Sequence, residues 1–98
     1  MNARIGRVTF EPEKADDVTS HVRENVVPRY EDADGFKGFT LLLDRSRGEG
    51  IGISFWQSED AMRASDELGD QARAGAAEAG SGSDRGKEYF EVTIDTMV

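Results

Sequence analysis

Phe36-Lys37-Gly38-Phe39-Thr40-Leu41-Leu42-Leu43-Asp44, then Arg45 to Gly50, then Ile51-Gly52-Ile53-Ser54-Phe55-Trp56, is the stretch on which the fold turns. Two apolar runs flank a polar, Gly-bearing connection, the pattern of an antiparallel β-hairpin. Apolar residues fall on both alternation phases, as in Leu41-Leu42-Leu43, so both faces of the hairpin are expected to be at least partly covered. Ser58 follows as an N-cap, with Glu59 and Asp60 where carboxylates complement a helix dipole. The spacing predicts a helix from Ser58 through Ala61, Met62, Ser65, Leu68 and Ala72 to Ala79. Its Ala-rich second half is interrupted by Gly69 and Gly75 and is expected to fray.

Outward from the hairpin, the same elements recur on both sides. Ala3 to Phe10 carries branched residues Ile5, Val8 and Thr9 and ends before Glu11-Pro12-Glu13, which suits a first strand. From Lys14 to Glu31, Ala15, Val18, Val22 and Val26 fall on one narrow helical stripe. Pro28 removes a hydrogen bond to the Glu24 carbonyl, so that helix is expected to kink or end near Val27. Gly80 to Gly86 reads as a flexible loop, and Phe90, Val92 and Ile94 alternate with Glu91, Thr93 and Asp95 in a last strand over Tyr89 to Ile94. Two β-α-β units in tandem define an α+β, ferredoxin-like β-α-β-β-α-β fold, a four-stranded antiparallel sheet with two helices on one face. The other sheet face needs a cover, and a second copy supplies one, so a homodimer through sheet faces is expected.

A chain of 98 residues is read as one domain over 1–98, burying roughly 65% of its unfolded surface. No cysteine is present, which excludes disulfides, zinc-thiolate sites, iron–sulfur clusters and cysteine nucleophiles. The start has no signal-peptide core and no stretch reaches membrane-span length, so a cytoplasmic protein without membrane contact is expected. A net charge of -8 repels phosphate backbones and anionic lipid, which argues against nucleic-acid partners.

Few residues carry obvious chemistry. His21, the single histidine, lies roughly 120° from the centre of its helix's apolar stripe and is expected in solvent. That position sets aside hydrolase triads and a buried histidine base. Placing Gly35 at position 6 of a calcium loop puts Tyr30 and Leu41 at the two positions that require carboxylates, so no metal site is expected. Gly48-Glu49-Gly50-Ile51-Gly52 is followed by a strand, not by a helix that would cradle phosphate. Trp56 closes the strand-to-helix corner, either as a core residue or as a ring for an aromatic ligand.

Three runs taken together, Val26-Val27-Pro28-Arg29-Tyr30, Asp34-Gly35-Phe36-Lys37-Gly38 and Ile53-Ser54-Phe55-Trp56-Gln57-Ser58-Glu59-Asp60-Ala61, resemble the antibiotic biosynthesis monooxygenase (ABM) family. The resemblance covers most of the chain and implies a dimeric α+β barrel. It also implies either a cofactor-independent monooxygenase acting on a small aromatic, polyketide-like substrate, or a non-catalytic small-molecule-binding or accessory barrel module. The haem-degrading branch uses an Asn on the first strand and a His on the second helix. Neither stands in Ala3–Phe10 or Ser58–Ala79, so haem degradation is not expected, nor any cofactor. Trp56 is the catalytic candidate that the resemblance implies, and Trp56, Tyr30, Arg63 and Tyr89 are its candidates for substrate binding.

Overall fold

The computed structural model describes residues 1–97. In chain order the elements are β1 (Asn2–Thr9), α1 (Ala15–His21), α2 (Val27–Glu31), β2 (Phe36–Asp44), β3 (Glu49–Trp56), α3 (Glu59–Ala64), α4 (Asp66–Ala79) and β4 (Asp84–Glu91). The strands form one sheet in the order β2-β3-β1-β4, every neighbour antiparallel, which is the ferredoxin-like α+β arrangement expected from the sequence.

Strand pairing sorts the side chains. Arg4, Gly6 and Val8 of β1 stand opposite Ser54, Gly52 and Gly50 of β3, on the face the helices cover. The other phase puts Ile5 opposite Ile53 and Arg7 opposite Ile51, on the face away from the helices. Leu42 and Phe90 share that open face and are 49% and 48% exposed, a large apolar exposure for two interior strand positions. The core on the helix side holds Val18, Val22 and Val26 of the predicted stripe together with Trp56 and Met62.

The first helical stretch does not stop at Pro28. Instead Val22–Val26 widens into a π-helical turn in which the Val27 N–H reaches back to the Val22 carbonyl, and α2 then carries Pro28 near its start. The wider turn makes room for the proline ring, and the missing N–H falls in the first turn of α2, where proline is tolerated. His21 is half-buried instead of solvated, because Gly75 leaves it a seat: a Cβ there would stand 2.5 Å from His21 Nε2.

The second helical stretch differs in the opposite sense. Its N-cap forms as read, Ser58 Oγ accepting from the Ala61 N–H at 3.1 Å. The stretch then breaks at Ser65, where the Ser65 N–H donates to the Met62 carbonyl instead of continuing the α pattern. The Ala-rich half is helical through Ala79, since Ala76 and Ala77 are buried against the sheet-side core.

β4 begins at Asp84 and ends at Glu91, earlier at both ends than side-chain alternation suggests. Backbone pairing decides its limits: Asp84 meets Val8, Glu91 meets Asn2, and only one further bond, Val92 N–H to Met1 carbonyl at 2.9 Å, continues the ladder. Beyond it Ile94 lies 82% exposed. In the hairpin, Gly48 adopts φ 65° and its carbonyl accepts from Phe10 N–H at 2.8 Å, a conformation and a close approach that a side chain would obstruct.

Candidate functional site

Arg4 is the residue around which the cleft between sheet and helices is built. It sits on the inward phase of β1 and is 3% exposed, so its charge has to be met by protein groups. Nη1 donates to the Met62 carbonyl at 3.0 Å, to Ser65 Oγ at 2.9 Å and to Asp66 Oδ1 at 3.1 Å, while Nη2 donates to the Tyr30 hydroxyl at 3.2 Å. Met62, Ser65 and Asp66 are the junction of α3 and α4, so the helix breaks where a buried guanidinium takes over a main-chain carbonyl. Gly69 permits that approach, since a Cβ on it would stand 2.6 Å from the guanidinium carbon.

The aromatic residues pack round this cation. Tyr30 meets Trp56 edge-on at 5.7 Å between centroids and stacks on Phe36 at 5.8 Å, and Phe36 meets Trp56 at 5.5 Å. The guanidinium carbon of Arg4 lies 5.6 Å from the Trp56 ring and 5.9 Å from the Tyr30 ring, within cation–π range of both. Trp56 is fully buried and its indole N–H donates to Ser54 Oγ at 2.8 Å.

Arg63 and Tyr89 form a second group. Arg63 lies 3.7 Å from the Tyr89 ring centroid, and the Tyr89 hydroxyl donates to Asp66 Oδ2 at 2.7 Å. Asp66 therefore bridges outward to Tyr89 and inward to Arg4. The structure thus brings Trp56 and Tyr30 together on the inner side of Arg4, and Arg63 and Tyr89 on the outer side of Asp66. Arg4 itself escaped the sequence reading. The signal present was its phase: it shares a face with Gly6, Val8 and Phe10, the three that face the helices or core, and alternates with Ile5 and Arg7.

The open space in the cleft lies beside Arg4, as a cavity of about 50 Å³. Gly6 and Gly52 form its floor, Tyr30, Ser54, Phe39 and Arg73 border it, and Trp56 does not. It has room for roughly three to five waters, well below the roughly 300 Å³ at which small-molecule sites begin. Two side chains take up the remaining space. Phe39 lies over Gly52, where a Cβ would stand 3.2 Å from its ring, and Arg73 lies over Gly6, where a Cβ would stand 3.0 Å from its Cδ.

Arg73 belongs to a charged cluster on the α4–β4 side. Its Nε donates to Asp84 Oδ1 at 2.9 Å and its Nη2 to Asp70 Oδ1 at 2.7 Å, and Lys87 Nζ shares that Asp70 oxygen at 2.8 Å. Hydrogen bonds from Lys87 and then Arg73 hold the Asp70 carboxyl below the usual carboxylate range. Burial works against the Arg73 charge, but the bonds to Asp70 and Asp84 outweigh it and raise the guanidinium pKa above its ordinary value. Among the described residues no group of three or more His, Cys, Asp or Glu is placed to hold a metal ion, and no helix is long and apolar enough to cross a membrane.

A four-stranded antiparallel sheet covered on one face by helices, in the order β2-β3-β1-β4, places the chain in the ferredoxin-like α+β class. The family model for antibiotic biosynthesis monooxygenase matches residues 1–77, and this chain belongs to that family. The uncharacterised proteins Rv2558 and Rv2557 of Mycobacterium tuberculosis are 38% and 34% identical to it over 87 residues, 89% of this chain. The chain spans only 37% and 39% of their lengths. Among solved structures, the heme-degrader MhuD of Mycobacterium tuberculosis, with two hemes bound, aligns with TM-score 0.75 and 19% identity, covering 99% of this chain and 100% of that one. The ActVA-Orf6 monooxygenase of Streptomyces coelicolor, in complex with nanaomycin D, aligns with TM-score 0.74 and 13% identity over 99% and 91%. SnoaB, a cofactor-independent oxygenase of Streptomyces nogalater, aligns with TM-score 0.62 and 19% identity over 97% and 95%. At these identities the likeness is one of fold.

Proposed function

We propose that this chain is a small-molecule-binding barrel module of the ABM family that pairs through its sheet faces and performs no turnover of its own. The observation that carries this reading is the cleft: about 50 Å³ of space, bordered by the polar residues Arg4, Tyr30, Ser54 and Arg73 and by no carboxylate or imidazole. A group that removes a proton from a substrate at neutral pH is what acid–base catalysis requires, and arginine, serine and tyrosine do not serve at their ordinary pKa values. In this reading Tyr30 and Arg4 touch the ligand, Trp56 supports Tyr30 from behind, and Tyr89, with Arg63 over its ring, holds Asp66 in place. The test is oxygen uptake by the purified protein with anthrones and hydroquinones. The expected rate equals the protein-free background, and consumption proportional to protein concentration would overturn the assignment.

One feature favours a second reading, a cofactor-independent monooxygenase acting on a small aromatic, polyketide-like substrate. The phenol of Tyr30 and the guanidinium of Arg4 meet at the edge of a mostly apolar space. An electron-rich substrate that reacts with dioxygen through its own carbanion asks chiefly for binding and desolvation. The same oxygen measurement decides between the two.

Pairing rests on the open sheet face. Ile5, Ile51, Ile53, Leu42 and Phe90 share it across four strands, and a second copy laid on that face would remove this apolar surface from water. Light scattering after size exclusion is expected to give twice the 10.8 kDa chain mass. Ile53→Glu, which places a charge at the centre of the face opposite Ile5 and Thr40, is expected to give the single chain mass. A wild-type protein that runs as one chain at tens of micromolar would exclude the pairing.

A further inference from the structure

We propose that Arg73 is the gate of the cleft, the residue whose side chain limits what the binding space admits. The proposal rests on the small-molecule reading above and adds to it the element that sets ligand size. Two arginines border the cavity, and they are held in different ways. Arg4 is anchored inside, on a main-chain carbonyl and on the buried hydroxyls of Ser65 and Tyr30. Arg73 reaches from α4 across β1 to β4, and its anchors face solvent: the Asp70 and Asp84 side chains are 50% and 38% exposed. Its one bond to main chain, from Nη1 to the Gly69 carbonyl, is long at 3.5 Å.

That difference decides which arginine can move. Withdrawing Arg4 would strand buried acceptors, whereas Asp70 and Asp84 exchange a guanidinium for water at small net cost. The Arg73 stem also lies directly on the cavity floor, its Cδ and Cγ 3.0 and 3.1 Å from where a Gly6 Cβ would be. Swinging the side chain outward therefore uncovers Gly6 and joins the cavity to solvent, while Arg4 and Tyr30 stay in place at the inner end. The ligand that fits the opened space is flat and mostly apolar, matching the glycine floor and the Val22, Val26 and Phe39 walls, with one oxygen to accept from Arg4 or Tyr30.

1-Naphthol is a suitable neutral probe, with binding measured by titration calorimetry. The wild-type protein is expected to bind it weakly at low salt, and Arg73→Ala at least tenfold more tightly with one site per chain. Asp84→Asn, which loosens the gate without removing it, is expected to fall between the two. Wild-type affinity should rise between roughly 0.05 and 0.5 M NaCl as the ion pairs of Arg73 are screened. Adding Ala72→Leu to Arg73→Ala should cancel the gain, because Ala72 lines the same space. No gain in either Arg73→Ala or Asp84→Asn, or a gain that survives Ala72→Leu, would overturn the gate. Oxygen uptake by Arg73→Ala with a hydroquinone would leave the gate standing and sink the non-catalytic reading instead.

Discussion

Arg4→Met is expected to lower the free energy of unfolding by about 3–5 kcal/mol, because a buried guanidinium's bonds to the Met62 carbonyl, Ser65 and Tyr30 and its pairing with the part-exposed Asp66 are lost together. Methionine keeps the stem of the side chain, so the loss isolates the guanidinium. Without it the Met62 carbonyl loses a buried donor, Tyr30 and Ser65 each lose a partner, and Asp66 keeps only the Tyr89 hydroxyl. The α3–α4 junction is the part most exposed to the change, because a continuous helix through Ser65 would be the alternative once the Met62 carbonyl is released. With a urea dependence of about 1–3 kcal/mol per molar, the midpoint should fall by roughly 2 M. Asp66→Asn should cost less, since an amide oxygen still accepts from Arg4. A loss under about 1 kcal/mol for Arg4→Met would mean that the network orders side chains without stabilising the fold.

The order of elements was legible because it rests on local signals: the hairpin between Asp44 and Glu49, the Ser58 cap, and the stripe of Val18, Val22 and Val26. What was not legible depends on partners far apart in sequence. β4 starts at Asp84 because β1 offers it a neighbour at Val8, and no composition rule for the Gly80 to Gly86 loop contains that fact. The break at Ser65 is dictated by a residue 61 positions earlier. Pro28 was correctly a point of distortion, but the choice between ending a helix and widening it fell to Tyr30, whose burial against Phe36 and Trp56 rewards one more turn. For the cleft, the family resemblance pointed to Trp56 and Tyr30, while Arg4, the charge that organises them, was not singled out. An arginine on the inward phase of a half-buried strand is the pattern that would have disclosed it.

Trp56→Ala carries the second large effect, about 3–5 kcal/mol, as for a fully buried large aromatic whose neighbours are too constrained to close the gap. Phe36 and Tyr30 lose an edge-to-face contact each, and Arg4 loses one of its two ring faces. Circular dichroism is the appropriate probe, since the substitution removes the single tryptophan. In the wild-type protein the same burial predicts blue-shifted emission that acrylamide hardly quenches. Trp56→Phe separates the two roles an indole can have here. It retains a ring for the cluster and loses only the bond to Ser54. If Trp56 belongs to the support of Tyr30, Trp56→Phe lowers the melting temperature and leaves 1-naphthol binding by Arg73→Ala unchanged, because the cavity wall does not include the indole. Unchanged melting together with lost binding would instead make Trp56 a ligand-contacting residue. The cavity wall would then have to include a residue that the closed cleft keeps behind Tyr30.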